Sequence, residues 1–465
     1  MRHTSGGFQP ETVQHRFGLV ARNLNAEQSL DLLGPQRNGF VFERLRISID
    51  NTFSQTCCET LNSSPEQFHQ WLLNLRQAHP KASVAVCLEQ PAGHLIPFLE
   101  TYNWITLYPI NPISLQKYRE TFVTSRAKDD AKDAQYLAEL LLDHPDKLKA
   151  WAPQDSQTRL LQQLVVHRRA VIDERTAQTN RLQALLKAYF PQALDLCGEE
   201  LWRPLATAFL LKWPTLMAVQ KAKPATLKAF YYLNGSRSQK LIDQRLKLVE
   251  QAVAVSDEPA LNQSFALRVQ LVCRQLQDIV QTIKEFERQI AEVFANHPDR
   301  EIFASLPGAG PVLAPRLLAA LGADRERFES ADSLHRYSGI APVTKQSGNK
   351  RHIHRRYLCP KFERQSFHEY AKESVLWCRW AAAYYLDQRS KGKPHHTAVR
   401  ALAFKWQRII WRCWQSRTPY SDELYEKALR KRGSKLVGLF ARIEVGKNPV
   451  KNPVTKPSKK NVKKI

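Results

Sequence analysis

Ala82-Ser83-Val84-Ala85-Val86-Cys87-Leu88-Glu89 is the stretch from which the N-terminal part of the chain is read. Seven small or apolar residues in a row suit a strand covered on both faces, and the run is too short for a helix with a core of its own. It closes on a carboxylate, Glu89. A second run, Trp104-Ile105-Thr106-Leu107-Tyr108-Pro109-Ile110, stops at Asn111-Pro112. Upstream, Phe40-Val41-Phe42, Leu45-Arg46-Ile47-Ser48-Ile49 and the segment 53–61 read as further strands. Between them Ser63-Ser64-Pro65-Glu66 offers a helix start, with serine at the cap and proline in the first turn. That helix runs on through Phe68, Trp71, Leu72 and Leu75. Strands alternating with helices over 41–152 predict an α/β domain, and residues 1–40 form a poorly patterned leading segment.

Beyond Trp151 the pattern is helical. Phe265, Val269, Val272, Leu276, Ile279, Ile283, Phe286, Ile290 and Val293 step by four and three without a break, a heptad seam. Leu161, Leu164, Val171, Leu182, Leu185 and Leu186 supply a less regular partner. The region 153–300 therefore reads as a helical coiled-coil arm with an insertion near 192–260, available for contact with a second copy; the alternative is the core of a helical bundle. A mainly α domain follows over 301–439. The stretch 431–465 carries eleven Lys or Arg against Glu444 alone, with three prolines, so it reads as a disordered basic arm, with the tail domain at 440–465.

The 465 residues carry a formal net charge of +25 and a pI of about 9.8. Such an excess of positive charge favours a polyanion as partner, and nucleic acid is the commonest. A hydrophobic share of 43% argues against wholesale disorder. No run approaches the ~18 apolar residues of a membrane-spanning helix, and Met1-Arg2-His3-Thr4-Ser5-Gly6-Gly7 lacks a secretory apolar core. A cytoplasmic protein is expected. The eight cysteines make no C-x-x-C pair, so buried reduced thiols are expected rather than a zinc ribbon.

Three constellations carry chemistry. Asp130 and Asp133 lie three apart in Lys128-Asp129-Asp130-Ala131-Lys132-Asp133-Ala134, on one helical face. Facing Glu89 at a strand end, they could hold one or two Mg²⁺ (or Mn²⁺) ions; alternatively they are acids favoured by a helix N-terminus. Next, Leu306-Pro307-Gly308-Ala309-Gly310-Pro311 joins two apolar helical runs. The amides at Gly308 and Gly310 could face a phosphate, as in a helix-hairpin-helix. Third, Ser347 in Gln346-Ser347-Gly348-Asn349 precedes Lys350, Arg351, Arg355 and Arg356. A serine beside a glycine in a flexible loop, followed by cations, could attack a phosphodiester; it could also be an ordinary turn serine beside a phosphate-binding loop. Residues 341–420 hold 17 Lys or Arg against four acids, interleaved with Trp377, Trp380, Trp406, Trp411 and Trp414, a pattern that fits nucleic-acid contact.

Taken together these residues resemble the bridge-RNA-guided insertion-sequence transposases. The resemblance rests on Cys87-Leu88-Glu89-Gln90-Pro91-Ala92-Gly93, Tyr108-Pro109-Ile110-Asn111-Pro112, the 127–134 acidic motif, Leu306-Pro307-Gly308-Ala309-Gly310, Tyr337-Ser338-Gly339-Ile340-Ala341-Pro342-Val343 and Gln346-Ser347-Gly348, in that order. It implies an RNase H-like (RuvC-like) DEDD domain followed by a serine-bearing transposase domain. It also implies Glu89, Asp130 and Asp133 as metal ligands, and Ser347 as the residue joined covalently to DNA. The implied partners are DNA (element ends and target), a structured guide RNA and further copies of the chain, dimer to tetramer, on a bacterial nucleoid. The family's first aspartate ends the opening strand; here Asp50 is the candidate, but Asp50-Asn51 could equally be a hairpin turn between the second and third strands, and the rival is an opening strand upstream that has lost its acid. If the carboxylates acted alone, the protein would be a junction-resolving nuclease; without a working site it would be a nucleic-acid scaffold.

Overall fold

The structure is a computed structural model and describes residues 17–22, 45–49, 52–57, 64–80, 83–89, 95–122 and 130–443. The chain divides into two compact units, Met1–Pro153 and Gln154–Ile465, described separately.

The first unit contains β1 (Phe17–Arg22), β2 (Leu45–Ile49), β3 (Thr52–Cys57), α1 (Pro65–Ala78), β4 (Ser83–Glu89), α2 (Leu95–Leu99), β5 (Ile105–Ile110), α3 (Pro112–Phe122) and α4 (Asp130–Asp143). The sheet order is β1-β4-β5, and β2-β3 form a separate hairpin. Strands β4 and β5 are parallel, Val84 opposite Ile105 and Glu89 opposite Ile110. Both faces of β4 are covered, which explains its unbroken apolar run. Val84, Val86 and Leu88 pack with Phe68, Leu72, Leu95 and Leu99 from α1 and α2. Cys87 packs instead with Ile110, Leu115 and the α4 residues Leu137, Ala138 and Leu141. Helix α1 starts where its cap signal lies: Ser64 Oγ accepts the Gln67 amide at 3.2 Å, and Pro65 opens the first turn.

The leading segment is not without structure. Strand β1 lies inside 1–40 and pairs antiparallel with β4, Phe17 opposite Leu88 and Arg22 opposite Ser83. Phe17-Gly18-Leu19-Val20-Ala21-Arg22 is a six-residue run without flanking turn signals, so periodicity alone passed over it. Residues 40–42, read as strand, lie outside the described residues, as does Asp50.

The second unit begins with α5 (Ser156–Tyr189). Five shorter helices follow, α6 (Ala193–Cys197), α7 (Pro204–Lys212), α8 (Leu216–Gln220), α9 (Pro224–Leu233) and α10 (Gln239–Gln251), and then α11 (Pro259–Ala295). Helices α5 and α11 run antiparallel: Gln157 Nε2 donates to the Val293 carbonyl at 3.3 Å, Arg168 pairs with Glu287, and Tyr189 stacks on Phe265 at 5.1 Å. The heptad seam is spent within the chain. Val269, Val272 and Leu276 join the core of the 182–249 helices, whereas Ile290 and Phe294 join the C-terminal core. The partner expected from Leu161, Leu164, Leu182 and Leu186 is the one found: α5 covers the seam.

The rest comprises α12 (Arg300–Ala304), α13 (Gly310–Leu321), α14 (Ala331–Tyr337), a hairpin of β6 (Val343–Ser347) and β7 (Lys350–His354), α15 (Lys361–Trp377), α16 (Arg379–Ser390), α17 (His395–Ser416) and α18 (Asp422–Lys431). Trp380, Trp406 and Trp414 are fully buried. Each indole N–H has an acceptor: Tyr420 Oη at 2.7 Å, Ser374 Oγ at 2.7 Å and the Gly322 carbonyl at 2.8 Å. These three are core, and among the five tryptophans only Trp377 is exposed, at 54%. The basic tail also begins inside the fold, because Leu436 and Phe440 are buried in the same core; burying two large apolar side chains outweighs the local charge.

Candidate functional site

The carboxylates sit where β4 ends and α4 begins. Glu89 is the last residue of β4 and Asp130 the first of α4; their side chains lie outside the described residues. Asp133 lies one turn into α4 and is 1% exposed. Arg119, on α3, donates from Nη1 to both its oxygens, at 2.8 and 3.0 Å. Burial of a carboxylate in an apolar layer requires a cation, and the guanidinium supplies one. A divalent ion at Asp133 would have to share or displace Arg119. An all-oxygen donor set suits a hard ion such as Mg²⁺. Among the described residues, no three His, Cys, Asp or Glu side chains form a metal-holding group. Sequence reading missed Arg119, since an isolated arginine at the end of a helix carries no signal of its own.

Ser347 occupies a different setting from the flexible loop expected. It is the last residue of β6, paired directly with Lys350 across the Gly348-Asn349 turn, and Gln346 faces Arg351. Gly348 has φ +55°, the positive value a two-residue hairpin needs at its first central position. Both strands are exposed nearly throughout, and Ser347 stands exposed at the tip. Lys350 and Arg351 are also exposed. Arg355 stacks over Tyr357, 5.7 Å from its ring centre, and Arg356 is half-buried.

The Pro307-Gly308-Ala309-Gly310 turn joins α12 to α13. Gly308 and Gly310 have φ +76° and +54°. A Cβ at Gly308 would lie 2.5 Å from Trp377 Cδ1, so glycine is needed there for close approach as well as for backbone conformation. The turn lines a cavity of about 830 Å³ that Arg316, Lys372, Glu373 and Trp377 close on other sides.

A third feature was not picked out from the sequence. A cavity of about 430 Å³ lies between the N-terminal turns of α15 and α17, lined by Arg355, Lys361, Arg364, His368, His396 and Arg400. The pairs Arg364/His368 and His396/Arg400 are each four apart, a spacing that would have flagged them. Burial, then His396 and Arg400, push His368 down to about 4. Burial, then Arg355 and Arg364, lower Arg400.

The six described cysteines are free and at least half-buried, as expected. No helix among the described residues is long and apolar enough to cross a membrane.

Comparison with known proteins finds two matching stretches, the first of which runs past Pro153 into α5. Residues 48–191 match DEDD_Tnp_IS110, a transposase family, and residues 300–386 match the transposase family IS116/IS110/IS902. A mini-circle protein for IS117 of Streptomyces coelicolor, whose name carries the word transposase, is 29% identical over 76% of this chain and 86% of its own length. A 44.8 kDa protein of insertion element IS116 from Streptomyces clavuligerus is 29% identical over 61% of this chain and 70% of its own. A 43.6 kDa protein of insertion element IS110 from Streptomyces coelicolor is 28% identical over 64% and 73%. A DEDD transposase domain implies dependence on a divalent metal. Two separate stretches of the chain are thus similar to transposase domains of the IS110/IS116/IS902 family.

Proposed function

We propose that this insertion-element transposase cuts and rejoins DNA through a covalent intermediate on Ser347, assisted by a carboxylate metal site in a RuvC-like first domain and guided by a structured RNA. The observation that carries the serine reading is its place: an exposed hydroxyl at a hairpin tip, directly across from Lys350 and next to Arg351. In the step, Ser347 Oγ forms a bond to phosphorus as the P–O bond to the leaving strand breaks. The serine proton passes to water or a base, and the departing strand end takes up a proton. The phosphodiester is thus conserved for rejoining. Lys350 and Arg351 would hold the non-bridging oxygens as negative charge builds on them. Arg355 and Arg356, with the amides at Gly308 and Gly310, would grip flanking phosphates.

Glu89, Asp130 and Asp133 would hold Mg²⁺ or Mn²⁺, with Asp50 as the fourth carboxylate, and the ion would supply positive charge to phosphate oxygens. Strand alternation supports this grouping, because position 89 shares the parity of Ala85 and Cys87, and Cys87 packs against α4. Leu267 and Leu271, exposed one turn apart on α11, offer an apolar surface for a dimer or tetramer. The charge of +25 suits simultaneous contact with DNA and RNA in the bacterial cytoplasm, on the nucleoid.

Purified protein, guide RNA and element-end DNA run on a denaturing gel test the chemistry. A protein–DNA adduct that disappears with Ser347→Ala is expected. Cleavage without an adduct would mark the carboxylates as the whole machinery, a junction-resolving nuclease.

A further inference from the structure

The cavity between α15 and α17 gathers like charges in one place. Arg355 follows directly on β7, Lys361 and Arg364 belong to the first turns of α15, and Arg400 sits in the second turn of α17. Among the described residues, none of the four is ion-paired. Arg364 reaches only the Tyr357 carbonyl and Cys359 Sγ, both at 3.4 Å. The acid on this wall is Glu369, and it is already engaged elsewhere: Arg316 at 2.5 Å, Gln365 at 2.7 Å and Arg169 at 3.6 Å. Two helix N-termini add their partial positive charge at the same rim. Cations held this close, with the one lining acid engaged by other partners, repel one another unless an anion comes in.

We propose that this pocket grips one backbone phosphate of the DNA strand whose scissile phosphate meets the hairpin tip, about three nucleotides along. A phosphate fits the chemistry: planar guanidiniums from several directions, with helix N-termini behind them. The spacing comes from β7. Lys350 faces Ser347, and Arg355 is five residues on, about 17 Å at a strand's rise. Phosphates of one strand advance about 3.4 Å each along the duplex axis while winding around it, so a straight span of about 17 Å reaches the phosphate about three steps on. The position rests on the Ser347 reading; the binding itself does not. DNA is favoured over RNA because the pocket continues the strand that carries the tip.

The full-length double variant Arg364→Gln/Arg400→Gln is expected to reduce the slope of log binding constant against log salt on duplex DNA by about one. Its thermal midpoint should stay the same or rise, because crowding is relieved. Lys361→Gln, on an exposed side chain, should lower the slope less but in the same direction, and Arg400→Lys, which keeps the charge, should hold it. Phosphate ethylation interference should then mark a contact about three nucleotides from the adducted phosphate, absent in the double variant. A folded double variant with an unchanged slope overturns the proposal, as does a slope lost on structured RNA but kept on DNA. Ser347→Ala should bind with the wild-type slope. A missing adduct would therefore sink the serine reading and leave the pocket standing.

Discussion

Replacing Arg119 by methionine should cost the first unit about 3–5 kcal/mol, the usual penalty for removing one partner of a buried ion pair. The figure follows from the exposures: the Asp133 side chain is 1% exposed and that of Arg119 14%, so water cannot readily take the place of the guanidinium. For a unit of 153 residues that is a fall in midpoint of about 6–20 °C, readable by calorimetry of the full chain and by faster hydrogen exchange of the α4 amides. The informative half of the experiment adds metal. If Asp133 is a ligand, Mg²⁺ or Mn²⁺ should restore stability to Arg119→Met by about 2.7 kcal/mol at a hundredfold excess over its dissociation constant. It should do so more than in the wild type, where the guanidinium competes. Asp133→Asn in the same background should abolish the rescue. A destabilised variant that no divalent ion rescues would show Asp133 to be half of a structural ion pair. A loss under about 1 kcal/mol would refute the burial argument itself.

Gly308→Ala should destabilise the C-terminal domain by about 1–3 kcal/mol, seen as a lower urea midpoint, because its Cβ meets Trp377 at 2.5 Å on a backbone of φ +76°. Leu276→Ala, at a fully buried seam position, should cost about 2–5 kcal/mol and loosen the α5–α11 pair by hydrogen exchange. Stability should also fall with acid through His368. Its folded value of about 4 lies below the ordinary 6.5, so the unfolded chain binds the proton first and stability drains away as pH falls from about 6.5 to about 4. The groups facing His368 are Arg364 and Glu369 on α15, His395, His396 and Arg400 on α17, and Arg355; His368→Phe should flatten this part of the pH profile.

What could be read from the residues was what short-range rules govern. The cap at Ser64, the two buried strands and the helical run after Trp151 follow from local pattern, and all appear. The strand at Phe17–Arg22 escaped because six residues without turn signals look like loop; only the register with β4 reveals it. The heptads gave a long helix correctly, but a heptad seam states that something apolar covers it, not whether the cover is another chain. Here α5 takes that place. Among the site residues, Asp133 was visible by its spacing and Arg119 was not, since the two meet through the packing of α3 on α4. Ser347 was singled out as a candidate by its neighbours, and the hairpin that presents it depends on Gly348. The tryptophans divide as their number suggests: some of the five had to be core, and three are, with Trp377 exposed.

Because α5 and α11 run antiparallel, the 192–258 helices leave and re-enter the chain at a single doorway, where Tyr189 stacks on Phe265. The ends of that insertion are held close together by the α5–α11 pair, and the entropy of closing such a loop grows only slowly with its length. It behaves as a cassette on a two-helix stalk. Its core is a cluster separate from the one around α13, α15 and α17, so changes in its size or surface need not propagate past Ile283 to the hairpin and the basic pocket.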